Sequence, residues 1–156
     1  MVLQGFREKL FKVHKKIIYA IEAVIDIALN SGPNPVQNES IAKRQGIPKR
    51  YLEQTLQILV KNKILVGSRG PKGGYSLAKE RRRIKIADII KSVSNEESLI
   101  STFNSELSKK IVLPLINEVS FQCLEKFNNI SIEDVCIIAK TKKLKKDISK
   151  KVNFVI

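Results

Sequence analysis

Apolar residues recur every three or four positions from about Lys15 to Asn30, where Ile17, Ile21, Val24, Ile25 and Ala28 form one stripe and Gly32-Pro33 ends it. That is the pattern of an amphipathic helix. A shorter helical segment runs from Asn38, a cap candidate, through Ile41 and Ala42 to Gly46, where glycine stops it. A further helix is predicted from Pro48 to about Asn62, since Leu52, Leu56, Leu59 and Val60 keep helical spacing and Pro48 suits a first-turn position. The period then changes. Between Ile64 and Ala78 one apolar run ends at Val66 and another starts at Tyr75, around a turn built from Gly70, Pro71, Gly73 and Gly74. This predicts a β-hairpin with a long tip.

Beyond the hairpin, Arg81-Arg82-Arg83 precede a helix near Ile86 to Val93 that carries Asp88 in its first turn, favourable against the helix dipole. Residues 94–108 are rich in Ser, Asn and Glu and read as a loop. From about Lys109 to Asn128 the chain is helical again, with Ile111, Leu115, Val119, Cys123 and Phe127 every four residues and Val112, Ile116 and Leu124 beside them. Pro114 places the start of that helix within its first turn. Ser131 and Asp134 form a capping box for a final helix through Ala139. The pattern divides the chain into a domain at 1–93 with an N-terminal extension at 1–14, a loop at 94–108, a long helix and short final helix at 109–139, and a tail at 140–156. The extension is basic and loosely amphipathic, with Phe6, Leu10 and Phe11 forming an extra helical turn or two.

Ala42, Gly46 and Leu52 fall where a helix-turn-helix needs them: a small residue for close crossing, a glycine to turn the chain and a leucine to pack the second helix back. With a hairpin following, the expected fold is mainly α with a small β-hairpin, a winged helix-turn-helix domain plus a long dimerisation helix. The hairpin tip carries Arg69 and Lys72 and no acid, and its glycines Gly70 and Gly73 would let backbone approach a phosphate surface or a narrow minor groove. Lys49, Arg50, Tyr51, Glu53 and Gln54 occupy the N-terminal turns of the second helix, where side chains reach base edges in the major groove. Each has a plainer reading: Arg69 pairs with Glu80, Tyr51 only packs, Glu53 only caps. The apolar stripe of the long helix, Ile111, Leu115, Ile116, Val119, Cys123 and Phe127, is too wide for a lone surface helix. A two-fold partner would bury it, or the helix folds back on its own domain.

Charge sharpens the picture. Of the net +14, residues 1–91 carry +12 from 19 basic and 7 acidic side chains, residues 92–139 carry −4, and residues 140–156 carry +6. The excess therefore sits on the helix-turn-helix half and the tail, the footprint of a polyanion partner such as double-stranded DNA. Candidate phosphate contacts are Lys15, Lys16, Lys43, Lys72 and Arg81 to Arg83. With 156 residues the chain builds one core and an appended element. No apolar run is long enough to span a membrane and no secretory signal is seen, so the expected location is the cytoplasm. Cys123 and Cys136 match no metal-ligand spacing and read as buried apolar groups, while His14, the one histidine, reads as a surface residue. No catalytic set can be built on that histidine, and Gly70 to Gly74 opens no helix as a phosphate loop would, so no enzyme is expected.

Residues 17–93 resemble the Rrf2 family of bacterial transcription regulators. The resemblance rests on Tyr19-Ala20, Ile41-Ala42, Tyr51-Leu52-Glu53-Gln54, the run Ser68 to Tyr75, Leu77-Ala78 and Ile86-Ala87-Asp88-Ile89-Ile90, with a weaker match from Phe127 to Ile132. It implies DNA-facing roles for Tyr51, Gln54 and Arg69, the arginine in the minor groove, and a homodimer built on the long helix. Cluster-binding members of the family place three cysteines before that helix. Counting back from Asn128-Asn129-Ile130-Ser131, those positions fall at about Ser98, Asn104 and Lys110, none of which is a thiolate. The chain therefore resembles the cluster-free members, with no cofactor expected and a signal arriving through a small-molecule effector or a partner protein. Two functions remain open: a sequence-specific transcription repressor or activator, or an interaction module docking on a metabolic enzyme such as cysteine synthase. Retention of Tyr51, Gln54 and Arg69 favours the first.

Overall fold

The computed structural model describes residues 13–94 and 103–142. The N-terminal turns expected around Phe6 to Phe11, Ser98 with most of the 94–108 loop, and the tail from residue 143 lie outside them. Helix α1 (Lys15–Asn30) buries Ala20, Ala23, Val24, Ile27 and Ala28. Ile17, Ile21 and Ile25, expected to head the stripe, only flank the core.

Helix α2 (Asn38–Gln45) and helix α3 (Lys49–Lys61) form the helix-turn-helix. Gly46 between them sits at φ 66°, the left-handed region that glycine enters without penalty. Asn38 is not the cap. Val36 exchanges backbone hydrogen bonds with Tyr75 at 2.9 and 2.8 Å, the chain stays extended through Gln37, and Asn38 becomes the first helical residue with its Oδ1 buried and unpartnered. Pro48 lies one residue outside α3, extended, and its carbonyl accepts the Leu52 N–H at 2.9 Å. Leu52, Leu56 and Leu59 are buried; Val60 is only partly so.

Strands β1 (Leu65–Ser68) and β2 (Gly74–Leu77) pair antiparallel, Leu65 opposite Leu77 and Ser68 opposite Gly74. The pair Val36–Tyr75 fastens this wing to the start of α2. A single 3₁₀ turn (Arg81–Arg83) leads into helix α4 (Ile86–Val93), where Asp88 accepts the Lys85 N–H at 2.9 Å.

The long arm departs from expectation. Residues 106 and 107 are already helical, Ser108–Val112 form a wide π turn, and helix α5 (Leu113–Asn128) follows. Pro114 lies in the first turn of α5 as expected, but that helix continues from the π turn, in which Leu113 N–H reaches back five residues to the Ser108 carbonyl and relieves the clash a regular helix would make with the proline ring. Ser131 and Asp134 form the expected capping box, Ser131 N–H donating to Asp134 Oδ2 at 2.8 Å and Asp134 N–H to Ser131 Oγ at 3.2 Å. The Ser131 N–H first, and its hydroxyl second, donate to Asp134 Oδ2 and hold that carboxyl below the usual carboxylate range. Helix α6 runs over 132–142, three residues past Ala139. It returns to the domain through Ile86 N–H to Ile130 O and Ile132 N–H to Ile84 O, both 2.9 Å, and buries Ile132 and Cys136 in the same core as α1 and α3.

Candidate nucleic-acid interface

The position of α2 against α1 is set by a buried carboxylate. Asp26, 2% exposed, accepts a two-pronged contact from Arg44 at 2.7 and 2.9 Å and a third hydrogen bond from Gln45 at 2.6 Å. Burying that charge is tolerable only because it is paired and fully hydrogen-bonded. The same contact keeps the Arg44 guanidinium above its ordinary pKa, the Asp26 hydrogen bond outweighing the cost of partial burial. Nothing in the sequence period marks Asp26, which sits among apolar neighbours.

With α2 fixed, α3 and the wing enclose a groove of about 670 Å³. Lys49 and Glu53 line it from the helix, Arg69 and Gly73 from the wing, with Ser68, Tyr75 and Gln57. Glu53 gives the groove a local negative charge: the Tyr75 hydroxyl is pushed up by burial first and by this carboxylate second. Tyr51 and Gln54 face the other side of α3 and share a recess of about 520 Å³ with Lys16 of α1. The Tyr51 ring meets Tyr19 edge to face, centroids 5.4 Å apart, so it packs on one side and stays exposed on the other. Arg50 is exposed and lines neither space. Lys72 lies on the outer side of the wing beside Arg44 and Gln37, whose Nε2 donates to the Pro71 carbonyl at 3.3 Å and braces the tip.

Two glycines of the wing lie hard against backbone. A Cβ at Gly73 would run into the Ser68 carbonyl and one at Gly74 into that of Val36. Their bareness closes the hairpin and seats it on the chain before α2. Gly70, at φ 103° with open space around it, remains the exposed tip glycine. Arg69 makes no ion pair among the described residues, and Glu80 instead faces Arg82 at 3.8 Å. Arg81, expected among the phosphate contacts, is spent on the fold: its guanidinium donates to the Ala28 carbonyl and to Ser31 Oγ at 3.4 Å, satisfying the C-terminal end of α1.

On the arm, Ile111, Leu115, Ile116, Val119, Cys123 and Phe127 are all exposed, Leu115 to 61%. The helix does not fold this stripe onto its own domain. Cys123 therefore departs from the expected burial, while Cys136 is 1% exposed and its thiol is pushed up mainly by that burial. His14 is exposed.

Residues 13–137 match the family Rrf2, described as an iron-dependent transcriptional regulator. Among relatives, the HTH-type transcriptional regulator IscR of Cronobacter sakazakii is 43% identical over 84 residues, 54% of this chain and 51% of that protein. The chain thus spans about half the length of the curated relatives it matches. The solved structure of T. potens IscR superposes with a TM-score of 0.67 at 33% identity, covering 83% of this chain and 88% of that one. CymR, the global cysteine regulator of B. subtilis, superposes at 0.61 with 26% identity over 82% and 98%.

The donors present do not fit an iron–sulfur cluster. Asn104 and Lys110 are exposed, Lys110 pairs with Glu106 at 2.6 Å, Cys123 lies on the arm and Cys136 in the core, and the described residues hold no group of three His, Cys, Asp or Glu side chains able to take a metal. Sequence match and superposition both cover four-fifths of the chain, wing and arm included, and on that ground the chain belongs to the Rrf2 family of transcriptional regulators.

Proposed function

We propose that the chain is a sequence-specific DNA-binding repressor that acts as a homodimer and answers to a small molecule or partner protein. One observation carries the DNA reading: α3 presents Lys49 and Glu53 across a polar groove from Arg69 on a braced wing, with Tyr51 and Gln54 exposed along the same helix. Side chains in the first turns of such a helix read base edges, and an arginine on the wing suits the minor groove. Lys49, Arg50, Tyr51, Glu53, Gln54, Arg69, Gly70, Lys72 and Gly73 make up the proposed contact set. The exposed stripe from Ile111 to Phe127 supports pairing of two arms, which would present two recognition helices to a palindromic site. A cytoplasmic location accompanies this reading; among the described residues no helix is long and apolar enough to cross a membrane.

The deciding experiment selects sites from a random duplex library with the full chain. A two-fold sequence with half-sites about one helical turn apart is the expected product. Recovery of a pool indistinguishable from the input would refute the reading.

A further inference from the structure

A second concentration of charge lies at the C-terminal end of α3. Lys63, Lys79, Arg83 and Lys91 line a recess of about 170 Å³ together with Asn62, Ser92 and Asp88. None of the four cations has an ion-pair partner among the described residues. The carboxylate lining the recess, Asp88, accepts the Lys85 N–H at Oδ2, and the four cations outnumber its single charge. Lys63 adds an independent mark. It sits at φ 59°, the one non-glycine residue with positive φ among the described residues, in the turn after a helix where glycine is the usual occupant. The chain keeps a strained lysine at a position whose side chain lines the recess.

Size and place narrow the ligand. At ~30 Å³ per water the recess holds about five or six waters' worth of volume, far below the ~300 Å³ of a drug-sized site. That is the scale of pyrophosphate or a phosphorylated three-carbon acid. The recess lies at the opposite end of α3 from Lys49, ~20 Å away at ~1.5 Å per residue, so it is separate from the base-reading turns. It joins α3, the base of the wing, the 3₁₀ turn and α4.

We infer that this recess binds a small, multiply charged phosphate-class anion taken free from solution, and that the bound anion, by tying the end of α3 to the wing base, shifts DNA affinity. The second half rests on the DNA reading above; the first does not. Calorimetric titration of the full chain with inorganic pyrophosphate, without DNA, tests the site. Binding of one equivalent per chain is expected, weakened at least about tenfold by Lys91→Gln and by Lys63→Gly and unchanged in Lys140→Gln, since opposite charges at short range dominate such contacts. Lys63→Gly relieves the backbone strain, so its melting temperature without ligand should hold or rise, which separates lost binding from lost folding. Equal pyrophosphate affinity in all four proteins, or none in the unsubstituted chain, overturns the site. The same variants, without pyrophosphate, should bind DNA as the parent does. A salt dependence shallower by about one would assign the recess to a backbone phosphate and overturn the free-anion claim. Saturating pyrophosphate should change the parent's DNA affinity and leave the two recess variants unaffected; pyrophosphate binding with no change in DNA affinity removes the regulatory half alone.

Discussion

Gln54 and Arg69 are exposed and lie on different elements, so their removal tests the two halves of the interface separately. A glutamine side chain can pair two-pronged with adenine, and Gln54→Ala should cost about 1–3 kcal/mol on the selected site and much less on random DNA. Competition binding with both duplexes reads the difference; equal losses would deny Gln54 a reading role. Arg69 makes no ion pair among the described residues, so Arg69→Ala should weaken binding at least about tenfold, roughly 1.4 kcal/mol, with the melting temperature unmoved. Arg69→Lys should recover only part, because ammonium is more strongly hydrated than guanidinium. A fall of several degrees in melting, with binding lost in proportion, would assign Arg69 to the fold. The chemistry of both residues was legible in their motifs. The role of Arg81 was not, because its partners Ala28 and Ser31 lie some fifty residues earlier and no local pattern reports them.

At the scale of elements, two contacts decide where the recognition helix sits and where the arm goes. Asp26→Asn would remove the charge and one of the two oxygens that accept from Arg44 and Gln45, and chemical denaturation should show a loss of about 2–3 kcal/mol, less than the ~3–5 typical of a fully buried pair because the Arg44 side chain keeps 39% exposure. A change below half a kcal/mol would mean that apolar packing alone holds α2. For the arm, Leu115→Glu places a charge at the middle of the exposed stripe. If two arms pair there, sedimentation should find monomers and cooperative operator binding should vanish, while the melting of the wing domain stays put. A variant still dimeric would move the interface off α5. The helical period of this stripe was plain in the sequence; the π turn before it was not, since its cause is the clash of one proline ring with a carbonyl of the preceding turn.

For the whole molecule the governing quantity is charge. A dimer that covers about 6–10 phosphates should lose roughly three to five decades of affinity between 50 and 200 mM salt. Filter binding across that range checks it, with a chain truncated after Ala139 as the comparison: the tail holds 7 lysines, and a slope that survives its removal belongs to the folded domain. Affinity constant over the range would exclude a phosphate-dominated interface. Arg81 no longer counts toward that sum, while Lys16, beside Tyr51 and Gln54, stays within it.

By itself the sequence determined whatever short-range physics controls: the periods of α1, α3 and α5, the stop at Gly46, the hairpin around Pro71, and the Ser131–Asp134 box, each written within a few residues of chain. The family motifs, too, were legible, because each is a short run of chain. Only the tertiary structure decided which face of α1 is deepest, that Asn38 lies inside its helix, that Gly73 and Gly74 serve close packing, that Cys123 is exposed, and that Lys63, Lys79, Arg83 and Lys91 share one recess. Each of these depends on contacts between segments distant in sequence, and local propensity carries no term for a neighbour that only the folded chain supplies.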